Sequence, residues 1–157
     1  MYPNPSFPSE MSDAAVSDMT DQLYVEVPAK PEQVGMVRHK VADFTRKQSW
    51  GADDIDALIL AVGEACNNAV NYGGKDFSDP LLVVSCLRIS PDELRVDVCN
   101  QGNGFHPDFD LLTVMPTAGE YATHGRGFGL MMALVDDVQV LSDGKSTTVR
   151  LRKRRTS

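Results

Sequence analysis

The chain has 157 residues, a length typical of one domain, and 42% of them are hydrophobic, which is enough for a buried core. Its formal net charge is −7, but residues 150–157 hold five basic side chains and no acidic one. Residues 1–149, with the other ten basic and all 22 acidic residues, therefore carry −12. This charge argues against direct nucleic-acid binding, because phosphate contacts need a basic surface.

The cysteines and the hydropathy of the sequence indicate the cellular compartment. The three cysteines are Cys66, Cys86 and Cys99. An odd number without a CxxC pair or a nearby histidine at ligand spacing predicts neither a disulfide framework nor a zinc site, and favours a reducing compartment. No apolar run approaches the roughly 18 residues that cross a bilayer, and the N-terminus does not resemble a secretory signal. We expect a cytoplasmic protein that has no membrane segment.

The N-terminal third predicts a leader, a strand and a helix. Residues 1–20 are rich in proline and serine and contain no Lys or Arg, which predicts a flexible leader. Alternating apolar residues predict a strand over 23–27 that is closed by Pro28. Apolar residues at helical spacing then predict an amphipathic helix over 31–47.

The remaining elements define the expected fold. A second helix should begin near Asp53, whose carboxylate is a candidate N-cap, and should run to Tyr72. Later segments predict strands over 81–88, 94–99, 138–141 and 147–151, with turns at 90–93 and 143–144 and a third helix over about 127–136. This order predicts an α+β fold, a two-layer α/β sandwich whose mostly antiparallel sheet is covered on one face by helices.

The second helix has an unusual polar face. Glu64, Asn68 and Asn71 lie one above another, opposite the apolar stripe. Asp56 and Glu64 are the only charged residues from 55 to 72, whereas a solvated helix face normally carries many Lys and Glu. This face is either the wall of a pocket or a satisfied polar patch under a loop.

Two glycine-rich segments lie at the ends of predicted elements, one after a strand and one at the start of the third helix. In the segment 100–107, Gly102 and Gly104 allow a tight turn or a close approach of a ligand, although an ordinary β-turn would also explain them. In the segment 125–130, free N–H groups at a helix start and Arg126 could bind an anion, although a glycine-rich helix start packed on the sheet is the alternative. The second segment is neither a P-loop nor a Rossmann fingerprint.

Taken together and in this order, the three segments resemble the N, G1 and G2 boxes of the GHKL (Bergerat-fold) ATPases. The matching stretches are Glu64-x-x-x-Asn68-Ala69, Asn100-x-Gly102-x-Gly104-Phe105 and Gly125-Arg126-Gly127-Phe128-Gly129-Leu130. Within that superfamily the chain resembles the bacterial anti-sigma factor serine-protein kinases over roughly residues 22–152. The resemblance implies a histidine kinase-like ATPase domain over 21–153, followed by a basic tail at 154–157.

The resemblance implies a role for each box. Glu64 would be the catalytic general base, and Asn68 would bind Mg²⁺ through its amide oxygen. Residues 108–124 would form a mobile lid over ATP. The implied nucleotide-binding residues are Asn68, Asn71, Asn100, Gly102, Gly104, Phe105, Gly125, Arg126, Gly127, Phe128, Gly129 and Leu130.

Two positions depart from the family pattern. An aspartate normally receives the adenine N6 amino group where this chain has Asn100, and a histidine is common where it has Tyr72. The amide of Asn100 can still accept from N6, or match guanine if it is flipped. We expect nucleotide binding to be weaker by about 1–2 kcal/mol, because a charged acceptor is lost. Asn100→Asp should then tighten ATP over GTP. Tyr72 is interpreted as a packing variant.

The function that the resemblance implies is that of an ATP- and Mg²⁺-dependent anti-sigma factor. It would phosphorylate a serine of an anti-anti-sigma (STAS-type) antagonist and sequester a sigma factor. One alternative is a non-catalytic binding module of the same fold that acts by sequestration only, with nucleotide binding weakened by Asn100. Another is a catalytic fragment of a two-component kinase, which would transfer phosphate to histidine. A homodimer is left open.

Overall fold

The computed structural model describes residues 15–72, 78–101, 113–114, 127–142 and 146–156. The described strands form one antiparallel sheet in the order β1-β2-β3-β4-β7-β6-β5. None of the described helices combines the length and the apolar character that a membrane crossing requires. The elements are β1 (Ala15–Asp18), β2 (Gln22–Pro28), a 3-10 helix (Pro31–Gln33), α1 (Val34–Lys47), α2 (Ala52–Tyr72), β3 (Leu81–Ser90), β4 (Glu93–Gln101), β5 (Thr113–Val114), α3 (Gly127–Leu134), β6 (Asp137–Ser142) and β7 (Thr147–Arg154).

The hydrophobic core lies between the helices and one face of the sheet. Apolar residues that alternate along the strands and repeat at helical spacing in α1 and α2 meet there, as the two periodicities require. The predicted α+β architecture is therefore confirmed. Fully buried members include Leu23, Val25, Val27, Leu82, Val84 and Val96 from the strands, and Val37, Val41, Phe44, Leu58, Val62 and Met131 from the helices.

Several element boundaries differ from the sequence-based expectation. β1 lies within residues 1–20, where it pairs with β2. The Gly51 carbonyl accepts the Ile55 N–H at 3.1 Å, so α2 starts at Ala52 and Asp53 lies inside its first turn; the prediction of Asp53 as N-cap was wrong. At the other end of the chain, β7 extends through Arg154.

A buried ion pair joins the two central strands on the sheet face opposite the helices. Asp97 on β4 is 1% exposed and accepts hydrogen bonds from Arg150 on β7 at 2.8 and 3.0 Å. The two residues are paired in the sheet register. A bidentate contact between a carboxylate and a guanidinium fixes both groups, so the strand that leads to Asn100 is held firmly against its neighbour.

Candidate nucleotide-binding site

The residues along the polar face of α2 differ in exposure. Glu64 is half-buried, Asn68 is 7% exposed, and Asn71 is exposed. The helix packs against α1, α3 and β4. Asn68 is therefore the most buried of the three polar groups and lies between the half-buried Glu64 and the exposed Asn71.

The side chain of Asn68 distinguishes a pocket wall from a satisfied polar patch. Its Nδ2 atom is buried and has no hydrogen-bond partner among the described residues. A buried donor that lacks an acceptor costs about 1–3 kcal/mol, so buried polar groups normally find one. The unpartnered amide therefore favours a site in which a ligand supplies the missing contact.

Asn100 lies at the end of β4 and contacts the same stretch of α2. Its side chain is 4% exposed, and its Nδ2 donates to the backbone carbonyl of Ala69 at 3.0 Å. Ala69 directly follows Asn68 on α2. Two asparagines from separate sequence segments are thus brought together where β4 ends and α2 enters its last turn.

The third helix, α3, packs against α2, and its first turn supplies backbone N–H donors. N–H groups in the first turn of a helix lack intrahelical acceptors, which suits them to bind an anion. Phe128 packs against the core and Leu130 is 43% exposed. A Cβ added at Gly129 would meet no described atom within 4 Å, so packing against the described residues does not require glycine there.

The other residues proposed for the site lie outside the described part of the chain. The side chain of Tyr72 and most of the proposed lid over 108–124 lie outside the described residues; only β5 of that lid is described, and it pairs with β6. The site residues outside the described part of the chain are Gly102, Gly104, Phe105, Gly125 and Arg126.

The donor set around Asn68 fits a magnesium ion better than a transition metal. No group of three or more His, Cys, Asp or Glu side chains among the described residues could hold a metal. Magnesium prefers oxygen ligands and commonly takes one or two from the protein and the rest from phosphates and water. The thiols of Cys66 and Cys86 do not compete, because burial raises the pKa of Cys66 to about 12 and raises that of Cys86 as well.

Two features of the structure were missed by sequence reasoning. Asp54, in the first turn of α2, accepts hydrogen bonds from Thr156, 102 positions away, and pairs with Lys153. Gln101 and Thr148 have buried polar side-chain atoms with no partner among the described residues. Neither feature leaves a local sequence signal, because both depend on which distant segments become neighbours in the fold.

The profile of the histidine kinase-like ATPase domain family matches residues 27–153. The chain belongs to this family. The matched region of this histidine kinase-like ATPase domain contains the polar face of α2, the end of β4 and the start of α3.

Similar proteins confirm the narrower resemblance. The serine-protein kinase RsbW of Bacillus pumilus is 32% identical over 139 residues, which cover 84% of this chain and 85% of that protein. The RsbW of Bacillus subtilis is 32% identical over 127 residues, covering 76% and 78%. The crystal structure of the RsbU and RsbW domains of Rv1364c from Mycobacterium tuberculosis matches with a TM-score of 0.63 at 18% identity, over 87% of this chain and 33% of that one, which supports the fold.

Proposed function

We propose that this protein is an ATP-binding anti-sigma factor that phosphorylates a serine of an anti-anti-sigma factor and sequesters a sigma factor. Its similarity to proteins named serine-protein kinase RsbW supports the kinase activity. The observation that carries the proposal is the buried Nδ2 of Asn68, which has no hydrogen-bond partner among the described residues and lies one helical turn from Glu64. The two groups combine a ligand for a metal–phosphate complex with a base for the attacking hydroxyl.

Glu64 is the proposed general base. The serine oxygen of the substrate forms a bond to the γ-phosphorus of ATP, the bond from that phosphorus to its bridging oxygen breaks, and ADP leaves. Glu64 takes the hydroxyl proton. No Lys or Arg lies on α2, so no basic residue of the same helix neutralises this carboxylate.

Asn68 would hold Mg²⁺ through its amide oxygen, and the nucleotide phosphates and water would complete the oxygen shell. When bound, the ion neutralises charge on the phosphates that develops during transfer. The fit rests on the burial of Asn68 and on its unpartnered nitrogen, which an acceptor on the phosphate chain would satisfy. Asn68 would thus contact the ion through its amide oxygen and the phosphate chain through its amide nitrogen.

The remaining residues of the proposed site would contact either the nucleotide base or the phosphates. Because the chain carries a net charge of −7, the attraction for an anionic nucleotide must be local, from the ion, Arg126 and the start of α3. Asn100 would read the base. The other proposed nucleotide contacts are Asn71, Gly102, Gly104, Phe105, Gly125, Gly127, Phe128, Gly129 and Leu130.

The proposed partners follow from the same function. A sigma factor and a STAS-type antagonist would bind in turn, and phosphorylation of the antagonist would decide which of them is held. Because a sigma factor acts on RNA polymerase, the protein would work in the cytoplasm. Its net negative charge suits basic protein partners better than DNA. The homodimer and the domain limits at 21 and 153 stay predictions. Light scattering tests the first, and limited proteolysis with mass spectrometry tests the second.

The kinase proposal is tested by incubating the protein with Mg-ATP and a STAS-type antagonist from the same organism. Phosphoserine on the antagonist is the expected product, identified by mass spectrometry. An acid-labile phosphohistidine instead would support the two-component alternative. Tight ATP binding and sigma-factor binding without any transfer would support the sequestration-only alternative, which the similarity to named serine-protein kinases does not favour.

A further inference from the structure

An exposed apolar side chain lies beside the proposed general base. Leu60 is 52% exposed, although it lies on the same face of α2 as Glu64, four residues before it. Residues four apart on a helix lie one above another, about 6 Å apart along its axis. Asn68 and Asn71 lie on the other side of Glu64, toward the end of α2. Glu64 therefore separates a polar part of this face from a leucine that is open to solvent.

The two sides of Glu64 suit different ligands. On one side, the buried Nδ2 of Asn68 has no partner among the described residues, and Asn100 contacts the carbonyl of Ala69, which suits a polar nucleotide. In phosphoryl transfer the attacking and leaving oxygens lie roughly in line on opposite sides of the phosphorus. A nucleotide that lies over Asn68 and Asn100 therefore leaves the Leu60 side for the protein that carries the attacking serine.

The end of α3 lies beside the start of α2. Lys153 on β7 pairs with Asp54, in the first turn of α2, at 3.2 Å. The carbonyl of Arg152, the residue before Lys153, accepts the N–H of Asp136 just after α3 at 2.9 Å. Both helix ends thus meet the same part of β7. Because α2 and α3 also pack against each other, the two helices run antiparallel.

The antiparallel arrangement brings a second exposed apolar side chain to the height of Leu60. Met132 on α3 is 59% exposed. It lies four residues before Asp136, whereas Leu60 lies six residues after Asp54, so the two are about 6 and 9 Å from the shared end of the helices. The axes of packed helices are about 8–10 Å apart. Leu60 and Met132 therefore lie at similar height on neighbouring helices.

We propose that Leu60 and Met132 form the apolar part of the surface on which the serine-bearing antagonist docks. This inference rests on the proposed function, since it requires serine transfer at Glu64. Two exposed apolar side chains gain free energy when an apolar surface of a partner removes them from water. The flexible thioether of Met132 can adapt its shape to that partner. The two residues would thus help to select the protein substrate without contacting the nucleotide.

The test measures phosphoryl transfer from Mg-ATP to a STAS-type antagonist from the same organism in three variants of the full chain. Leu60→Gln and Met132→Gln replace the apolar side chains by a polar one with good helix propensity. The matched control is Ile89→Thr, which makes an apolar side chain that is 42% exposed on β3 polar and keeps its branching. Because all three positions are exposed, each Tm should stay within about 2 °C of the parent.

The expected result is a change in KM without a change in kcat, because a docking contact away from the reacting atoms stabilises the bound substrate and the transition state equally. KM for the antagonist should rise at least about tenfold in Leu60→Gln and at least about threefold in Met132→Gln. The kcat at saturating antagonist and KM for Mg-ATP should stay within about twofold of the parent. Ile89→Thr should match the parent in all three quantities.

A parent-like KM for the antagonist in either helix variant overturns the inference, and so does an equal rise in Ile89→Thr. If Leu60→Gln keeps this KM but weakens sigma-factor binding, or changes the oligomeric state in light scattering, the surface serves that other partner and the inference is overturned as well. If the parent transfers no phosphate to the antagonist, the proposed function and the inference both fall. Transfer with parent-like KM values in the variants overturns only the inference.

Discussion

The clearest stability prediction concerns the contact that ties the C-terminal end of the chain to the start of α2. Asp54 is 4% exposed and accepts hydrogen bonds from the Thr156 N–H at 2.8 Å and from its hydroxyl at 2.9 and 3.0 Å. Lys153, itself nearly buried, pairs with the same carboxylate at 3.2 Å. Burial alone would raise the pKa of Asp54, but the hydrogen bonds from Thr156 and Lys153 outweigh it and lower the pKa.

Asp54→Asn keeps the shape of the side chain but removes the charge that Lys153 needs. Removing one partner of a buried ion pair costs about 3–5 kcal/mol. Lys153 also donates to the Arg154 carbonyl at 3.1 Å, so its ammonium group keeps one acceptor. The expected loss of unfolding free energy is therefore about 2–3 kcal/mol, at or just below the lower end of that range. A loss of this size lowers Tm by roughly 5–10 °C in a domain of this length.

The matched control is Asp92→Asn, which removes the partner of Arg155 in the same segment. That pair is short, at 2.6 Å, but the Asp92 side chain is 66% exposed, so the change should cost less than about 1 kcal/mol. Because the pKa of Asp54 is lowered in the folded state, its contribution is complete above the unfolded value near 4 and is lost as pH falls through the folded pKa. Calorimetric unfolding should show the gap between parent and Asp54→Asn shrinking below about pH 4. Equal Tm values for Asp54→Asn and Asp92→Asn at pH 7 would refute the reasoning.

Two further predictions concern chemistry. Glu64→Gln should lower the rate of single-turnover phosphoryl transfer to the antagonist by about 10²–10⁴-fold, because the general base is lost. The affinity for Mg-ATP should stay within about threefold of the parent. Transfer at the parent rate would show that Glu64 is not the general base. Cys66 and Cys86 are buried thiols with raised pKa values, so iodoacetamide at pH 8 should label them only after denaturation in guanidinium. Rapid labelling of either thiol in the folded protein would show that the core opens.

The sequence predicts those parts of the fold that depend on local periodicity. The alternation in β2 and the apolar stripes of α1 and α2 each follow from one burial pattern, and each is found where it was expected. Element ends are less predictable, as the position of Asp53 shows, because a backbone hydrogen bond from Ile55 to Gly51 decides where the helix starts. β1 depends on pairing with β2, which a short polar segment does not reveal.

The sequence predicts candidate site residues by type but does not predict their contacts. Glu64, Asn68 and Asn100 follow from motif spacing. The hydrogen bond from Asn100 to Ala69 joins residues 31 positions apart and depends on how α2 crosses the end of β4. Motifs indicate which side chains meet a ligand, but the neighbours of each side chain determine its charge and orientation.

The most direct test of the account is the affinity for Mg-ATP of Asn68→Ala against its exposed neighbour Asn67→Ala. If Asn68 holds the ion and the phosphates, Asn68→Ala should bind Mg-ATP at least about tenfold more weakly than the parent, a loss of about 1.4 kcal/mol. Asn67→Ala should stay within about twofold of the parent, and chelating the magnesium should remove most of the difference between the parent and Asn68→Ala. Parent-like affinity of Asn68→Ala in magnesium would contradict the placement of the nucleotide between α2, β4 and α3.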